Sequence, residues 1–506
     1  MTMTFSPTKR QRDFYDWIVN GSGHGMLDAL AGAGKTTTIQ NAVEYCLKTN
    51  PNARVFYLCF NVKIKEELRA RGLNANNYHG WGYYLLTKKF GKFTVNASRG
   101  RNIALSVLGY DGEPNSAPDG LYEEAANLAK LTSLAKGYDI DYKSTKDDGR
   151  VEDLIHRFDL FSPGQDENGK GGYSVRALVR FTKQCMKVAS NWTGIIDQDD
   201  MVWIPVSQGM VFPLFDFVFV DEFQDSNPIQ VSLAKGLVKR GTGRLVFVGD
   251  PNQAIYEWRG AEANVMDNAA RALNCTRLPL DECFRCCKSV VREAQALVPN
   301  IRHVESAPEG KVESISLLDT MFAEIRVGDF IVSRTRAPMF SLALSLLSRN
   351  IRARIKGQDI AQGLLAMVRK SKKAQVGAFL QWLKGWATKE ELKITKRTKD
   401  KEERASKVSR IQDTVKVFET LCATSGVPTC DSLSDKIREL CEVDPTNGKG
   451  QFVEIMTTHG AKGLESDTVW LLRDTYRPGA TPEESRLLYV AVTRAKTRLV
   501  KVLGVK

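Results

Sequence analysis

The segment from Met26 to Val43 leaves this chain few ways to begin folding. Met26 to Leu30 reads as a short strand. Ala31-Gly32-Ala33-Gly34-Lys35-Thr36 follows it and opens a helical pattern through Thr38, Gln40 and Val43. Glycines let backbone N–H groups approach a polyphosphate closely, and the new helix turns the positive end of its dipole toward it. On that reading Gly32, Ala33, Gly34 and Thr37 belong to the phosphate cradle. Lys35 reaches the β/γ-phosphates of ATP, and the Thr36 hydroxyl sits on Mg²⁺. Ala29 stands where the usual pattern has its first glycine, so the motif is met only as A-x-x-x-x-G-K-T. A strand–loop–helix of this kind belongs in a parallel α/β sheet.

A second half of the same chemistry lies far downstream. Phe217 to Val220 is a β-favouring apolar run that delivers Asp221 and Glu222 to its end, within Val-Asp-Glu-Phe-Gln-Asp. A carboxylate pair at a strand end suits a nucleotide site, Asp221 holding Mg²⁺ and Glu222 orienting or deprotonating the attacking water. Taken alone, the pair equally suits an ordinary strand-to-loop exit. Joined to G-K-T in its strand–loop–helix setting, it marks an ATPase, or at the least a P-loop nucleotide binder.

The rest of the chain sorts by rhythm. At 506 residues, three or four folding units are expected. Alternating strand and helix patterns cover 1–89 and return over 206–283, with a mostly helical, polar stretch from 90 to 205 between them. A second α/β region runs over 284–360 and resumes over 449–506, interrupted by helical residues 361–448. Within the latter, Lys389 to Arg410 is heavily charged, which suits a solvated helix face. The net charge of +13 permits nucleic-acid binding without demanding it. The ten cysteines lack the spacing of a secreted scaffold, and no N-terminal apolar core of a signal peptide is visible. A reduced, cytoplasmic setting is therefore expected. No run approaches 18 uncharged apolar residues, so no membrane partner is expected.

With both halves of the nucleotide site in view, the chain resembles a superfamily 1 helicase of the UvrD/Rep-like group. The resemblance runs over nearly its whole length and in the family's motif order, and it points to the small members of that group. It implies two RecA-like P-loop lobes with parallel sheets, each interrupted by a mostly helical insertion. Phe5-Ser6-Pro7-Thr8-x-x-Gln11 is similar to the adenine-reading element, with Gln11 as the reading amide. Gly249 to Gly260 resembles the segment joining the ATP site to the DNA track. There Gln253 would sense the γ-phosphate, Tyr256 and Trp258 would meet DNA bases, and Arg259 would contact the strand. A core tryptophan is the other reading of Trp258.

Cys283-Phe284-Arg285-Cys286 is similar to the element usually written N-Y-R-S, with Phe284 stacking on adenine and Arg285 contacting the γ-phosphate. The replacement of asparagine and serine by cysteine puts the local hydrogen bonds in doubt, and with Cys275 and Cys287 leaves a metal site as an alternative. Thr457 to Glu465 resembles the T-x-H-x-x-K-G-L-E element, which places Glu465 near the ribose and Thr458 and His459 on the DNA side. Tyr489-Val490-Ala491-Val492-Thr493-Arg494-Ala495 carries Arg494 as arginine finger. Weaker matches assign Phe60, Asn61, His79 and Arg334 to DNA.

The resemblance implies an ATP-dependent enzyme that moves 3′-to-5′ on single-stranded DNA and unwinds duplex. Replication or repair proteins are candidate partners, and a monomer is expected. Two other readings stay open. One is a DNA-dependent ATPase that remodels protein–DNA or recombination intermediates without processive unwinding; the other is a signalling ATPase with no nucleic-acid partner.

Overall fold

The computed structural model describes residues 7–60, 62–162, 172–191, 194–256, 264–397, 401–441 and 452–505. The expectations for Asn61, Trp258 and Arg259 fall outside these residues. The chain divides into two compact units, residues 1–29 with 34–280, and residues 30–33 with 281–506.

In the first unit, helix α1 (Lys9–Asn20) starts at a capping box. The Gln11 N–H donates to the Thr8 hydroxyl, and the Gln11 side-chain Oε1 accepts from the Thr8 N–H. Phe14, Tyr15 and Ile18 recur at helical spacing and are buried. Strand β1 (Gly25–Ala29) then leads through the glycine loop into α2 (Lys35–Thr49). Next come β2 (Val55–Cys59), α3 (Val62–Ala70), β3 (Ala75–Asn77) and α4 (Tyr78–Phe90). The two-residue strands β4 (Thr94–Val95) and β5 (Ile195–Ile196) form a separate small ladder. They bracket helices Arg99–Val107, Asp119–Gly137, Asp148–Arg157 and Val175–Ser190; helix Gln198–Ser207 comes after. Strands β6 (Phe217–Val220), β7 (Arg244–Gly249) and β8 (Thr276–Leu280) complete a six-stranded sheet ordered β3-β2-β6-β7-β1-β8. Every pairing in it is parallel.

A parallel sheet is covered on both faces, which is why Val218, Phe219 and Val220 are all fully buried instead of alternating. The helical segment shares one apolar core with the sheet, through Trp203, Leu131, Met186 and Phe215 among others. It also buries a charge network. Lys136 Nζ lies 2.8 Å from Asp200 Oδ1 and 3.2 Å from Asp197 Oδ2, Arg99 pairs with Asp200, and the Lys136 ammonium sits 5.4 Å from the Trp203 ring.

The second unit repeats the layout. Strands β9 (Glu282–Cys283) and β10 (Arg302–His303) pair with each other. The main sheet uses β11 (Lys311–Ile315), β12 (Phe330–Ser333), β13 (Ala353–Ile355), β14 (Val453–Thr457), β15 (Ser466–Leu472) and β16 (Ala495–Val502), ordered β11-β16-β15-β12-β14-β13 and wholly parallel. Helices Gln358–Ser371, Val376–Arg397, Lys401–Ser425 and Cys430–Cys441 intervene between β13 and β14. Two α/β lobes with parallel sheets, each interrupted by helices, are therefore present. Strand β16 starts as early as Ala495, because that residue pairs with Ser466 of β15. Local propensity gives no sign of that pairing. Among the described residues no helix is long and apolar enough to cross a membrane.

Candidate functional site

The order β6-β7-β1 sets three strand ends side by side, and each delivers a charged residue to the same edge. From β1 comes the glycine loop. Gly34 caps α2 at φ 71°, ψ 33°, a left-handed geometry that suits glycine. Lys35 follows it, its side chain 13% exposed, with Nζ 3.3 Å from Glu222 Oε2. From β6 come Asp221, fully buried, and Glu222, which holds φ 49°, ψ 40°. From β7 comes Asp250, also buried.

These groups set one another's charge. Burial works against the Lys35 ammonium, but Glu222, Asp250 and Asp221 outweigh it and hold the pKa above its ordinary value. Burial and the neighbouring Glu222 carboxylate push Asp221 up to about 6, with Lys35 opposing. Burial likewise raises Asp250. Three carboxylates thus face one ammonium, a local excess of negative charge that suits a divalent cation. Among the described residues no group of three His, Cys, Asp or Glu side chains could hold a metal unaided. The negative charge of this cluster would suit Mg²⁺ arriving with phosphate oxygens, which is how this hard cation usually binds. Thr36, half-buried at the helix start, and Asp221 are the residues here that would hold it.

Asp250 and Gln224 were not singled out in the sequence, yet both belong to this cluster. Gln224 Nε2 donates to Glu222 Oε2 at 2.5 Å, and its Oε1 accepts from the Asp250 N–H at 3.1 Å. Gln253 Nε2 donates to Asp250 Oδ2 at 2.7 Å. Gly249 has a reason to be glycine: a Cβ there would lie 2.4 Å from Gln224 Oε1. Asp250 was legible by the rule that found Asp221, an acid directly after an apolar strand. Gln11, expected to read adenine, is buried. Besides its capping bond, its Nε2 donates to Thr38 Oγ1 at 3.0 Å, so it ties α1 to α2. Thr37 is exposed.

In the second unit, Leu30 to Ala33 group with residues 281–506. The Phe284 N–H donates to the Gly32 carbonyl at 2.9 Å, and the Ala31 N–H to the Tyr489 hydroxyl at 3.1 Å. A Cβ on Gly32 would come within 2.7 Å of Cys283 Sγ, so the close packing excludes any side chain at that position. Phe284 itself is 39% exposed. Arg285 Nε lies 2.6 Å from Glu465 Oε2. Burial acts to raise Glu465, but Arg285 and Lys496 outweigh it and hold the carboxyl below its usual range. Glu465, expected near a ribose, is thus engaged in an ion pair.

Arg494, expected as an arginine finger, is 1% exposed. Its Nε donates to the Val490 carbonyl at 2.8 Å, Nη1 to the Leu464 carbonyl at 3.1 Å and Nη2 to the Thr493 hydroxyl at 3.1 Å. The turn after helix Pro482–Val492 draws it inward, since the helix leaves carbonyls there to be satisfied.

The cysteines form no metal cluster among the described residues. Cys283 Sγ accepts from the Cys286 N–H at 3.4 Å, the Cys286 thiol donates to the Thr493 carbonyl at 3.7 Å, and the Cys287 thiol to the Thr497 carbonyl at 3.4 Å. Hydrogen bonding from Cys286 pulls the Cys283 thiol down to about 6, against its burial.

The nucleic-acid candidates fare unevenly. Phe60 is 39% exposed at the end of β2. His79 is exposed on the first turn of α4, and Tyr256 is half-buried. Arg334 is drawn to Glu484, Nε to Oε1 at 2.7 Å. Thr458, expected on the DNA side, is fully buried instead, its hydroxyl 2.6 Å from that of Tyr476, because the short helix it begins turns that side chain inward. The next residue, His459, is half-buried.

Comparison with known proteins places these features. Residues 16–274 match the UvrD/REP helicase N-terminal domain, and residues 282–503 match the UvrD-like helicase C-terminal domain. A Mycoplasma pneumoniae protein named probable DNA helicase II homolog is 24% identical over 331 residues, covering 58% of this chain and 42% of that protein. A protein of the same name from Mycoplasma capricolum is 38% identical over 291 residues, covering 53% and 38%. The ATP-dependent DNA helicase PcrA of Bacillus subtilis is 23% identical over 301 residues, covering 54% and 37%. The chain spans less than half the length of each of these relatives. Between them the two domain matches take in most of its residues, and the chain belongs to the UvrD/REP family of superfamily 1 helicases.

Proposed function

We propose that this chain hydrolyses ATP to translocate 3′-to-5′ along single-stranded DNA and to displace a complementary strand. One observation carries the reading. Glu222 is held in a left-handed conformation, costly for a residue with a side chain, that keeps its carboxylate on Lys35 beside the buried Asp221. Strain of this kind concentrates where a group must stand in one place. Free of nucleotide, Lys35 neutralises Glu222. A γ-phosphate that takes Lys35 releases Glu222 to accept a proton from the attacking water. Thr36 and Asp221 would hold Mg²⁺, which would supply charge neutralisation for the phosphates. Gln253 senses the γ-phosphate through its tie to Asp250. The family resemblance assigns Arg285 and Arg494 as the cations that stabilise the transferring phosphoryl group. Both must leave their present partners, Glu465 for Arg285 and backbone carbonyls for Arg494. Phe284 serves the adenine.

Phe60, His79, Tyr256, Arg334 and His459 are the described residues offered to DNA. Replication or repair proteins are the partners that fit this activity.

The test is ATPase rate with and without single-stranded DNA, together with strand displacement on 3′-tailed and 5′-tailed duplexes. Stimulation with displacement from the 3′ tail is expected. Stimulation without displacement from either tail would assign the remodelling translocase instead. Glu222→Gln should retain ATP binding and lose turnover by at least about 10²-fold, the usual scale for general-base loss; undiminished turnover removes Glu222 from that role.

A further inference from the structure

Helix α4 covers the sheet with Tyr78, Trp81, Leu85 and Leu86, all buried. Its opposite face is unusual. An outward stripe is ordinarily polar, yet Tyr83 and Tyr84 stand there side by side, each 45% exposed. Both rings are propped from within. Tyr83 lies 4.7 Å from the Phe93 ring, and Tyr84 lies 5.2 Å from the Trp81 ring. Lys88, Lys89 and Lys92 follow on the exposed surface. Along the chain neither Asp nor Glu occurs between Glu67 and Asp111, and the acid that acts on this side of the helix is Asp199, on His79. One turn before Tyr83, on the same side of the helix, is the exposed His79.

We infer that this face of α4, with the lysines at and just past the helix end, is a contact for single-stranded DNA, Tyr83 and Tyr84 stacking on bases and Lys88, Lys89 and Lys92 meeting phosphates. The inference rests on the nucleic-acid reading proposed above and extends it to residues that no resemblance assigns. Rings backed by a second aromatic are pre-ordered, so little freedom is lost when a base settles on them. Stacking accepts any base, as a translocase requires, and an acid-free run of lysines suits a polyanion. The helix is about 20 Å long at 1.5 Å per residue. It thereby carries the track well beyond His79. A protein partner is the competing occupant.

The experiment uses the full chain and a fluorescein-labelled oligothymidine of about twenty nucleotides, read by anisotropy. Tyr83→Ala/Tyr84→Ala should weaken binding at least about tenfold, the scale of a lost base–aromatic stack. Tyr83→Phe/Tyr84→Phe should bind as the parent does, since the stack survives without the hydroxyl. Lys88→Glu/Lys89→Glu should make the affinity fall less steeply with salt. Photo-crosslinking of the unmodified protein to 5-iodouracil DNA, mapped by mass spectrometry, guards against a folding effect in the alanine variant and should label peptide 78–92. Parent-like binding by the alanine pair, or crosslinks only elsewhere, overturns the inference while leaving the helicase reading intact. Failure of the parent protein to bind the oligonucleotide overturns both.

Discussion

Glu222 and Asp221 are neighbours that respond to different physics. Glu222 occupies the left-handed region at φ 49°, where a side chain costs about 1 kcal/mol relative to glycine. Glu222→Gly should therefore be more stable than Glu222→Ala by about 1 kcal/mol in urea melts, although both lose the Lys35 pair. Equal stabilities would mean that the conformation is not kept in solution. Asp221 is governed by charge. Burial and Glu222 raise its carboxyl to about 6, above an unfolded value of about 4. Ionisation is then disfavoured in the fold. The penalty is absent below about pH 4 and complete once the pH has passed about 6. Asp221→Asn should accordingly raise the melting temperature of the nucleotide-free protein above pH 6 and change it little near pH 4. A variant equally destabilised at both pH values would show that Asp221 is held chiefly by hydrogen bonds.

At the scale of elements, two devices hold the first unit's helices. The box formed by Thr8 and Gln11 starts α1, and the second Gln11 bond reaches Thr38 of α2. Gln11→Ala should cost about 1–2 kcal/mol in nucleotide-free chemical denaturation, the cap and the tie being lost together. If stability is unchanged and only nucleotide affinity falls, Gln11 acts on adenine alone. The Lys136 network binds helices Arg99–Val107, Asp119–Gly137 and Gln198–Ser207 through buried charges. Lys136→Met removes one cation and leaves Asp197 and Asp200 with Arg99. A loss of about 3–5 kcal/mol is expected; a smaller one would mean that water enters to solvate the acids.

Over the whole molecule, two parallel sheets, each in its own compact unit, are what the alternation of strand and helix patterns foretold. Strand β6 was legible because it is a short run of Phe and Val, buried at Val218, Phe219 and Val220. The short ladders β4–β5 and β9–β10 were not, since two residues carry no periodicity. Nucleotide linkage belongs to this scale. Mg-ATP at about 100 times its dissociation constant should add about 2.7 kcal/mol to stability. Lys35→Ala should abolish that gain in a thermal-shift titration, and a full shift in the variant would place the nucleotide elsewhere.

The local pattern of residues was enough to determine the glycine loop, the acid pair after β6, the alternating architecture and the family, because each depends on neighbours in the chain. What the tertiary structure decided is which distant side chains meet. Strand order brings Asp250 to Lys35, although 215 residues separate them, and Gln224 joins that cluster through the space left by Gly249. Packing drew Arg494 and Thr458 inward and gave Arg285 to Glu465. Burial and charge in that folded arrangement then set the pKa of Asp221. No spacing rule contains these outcomes, since they follow from the order in which strands lie and from the solvent that packing excludes.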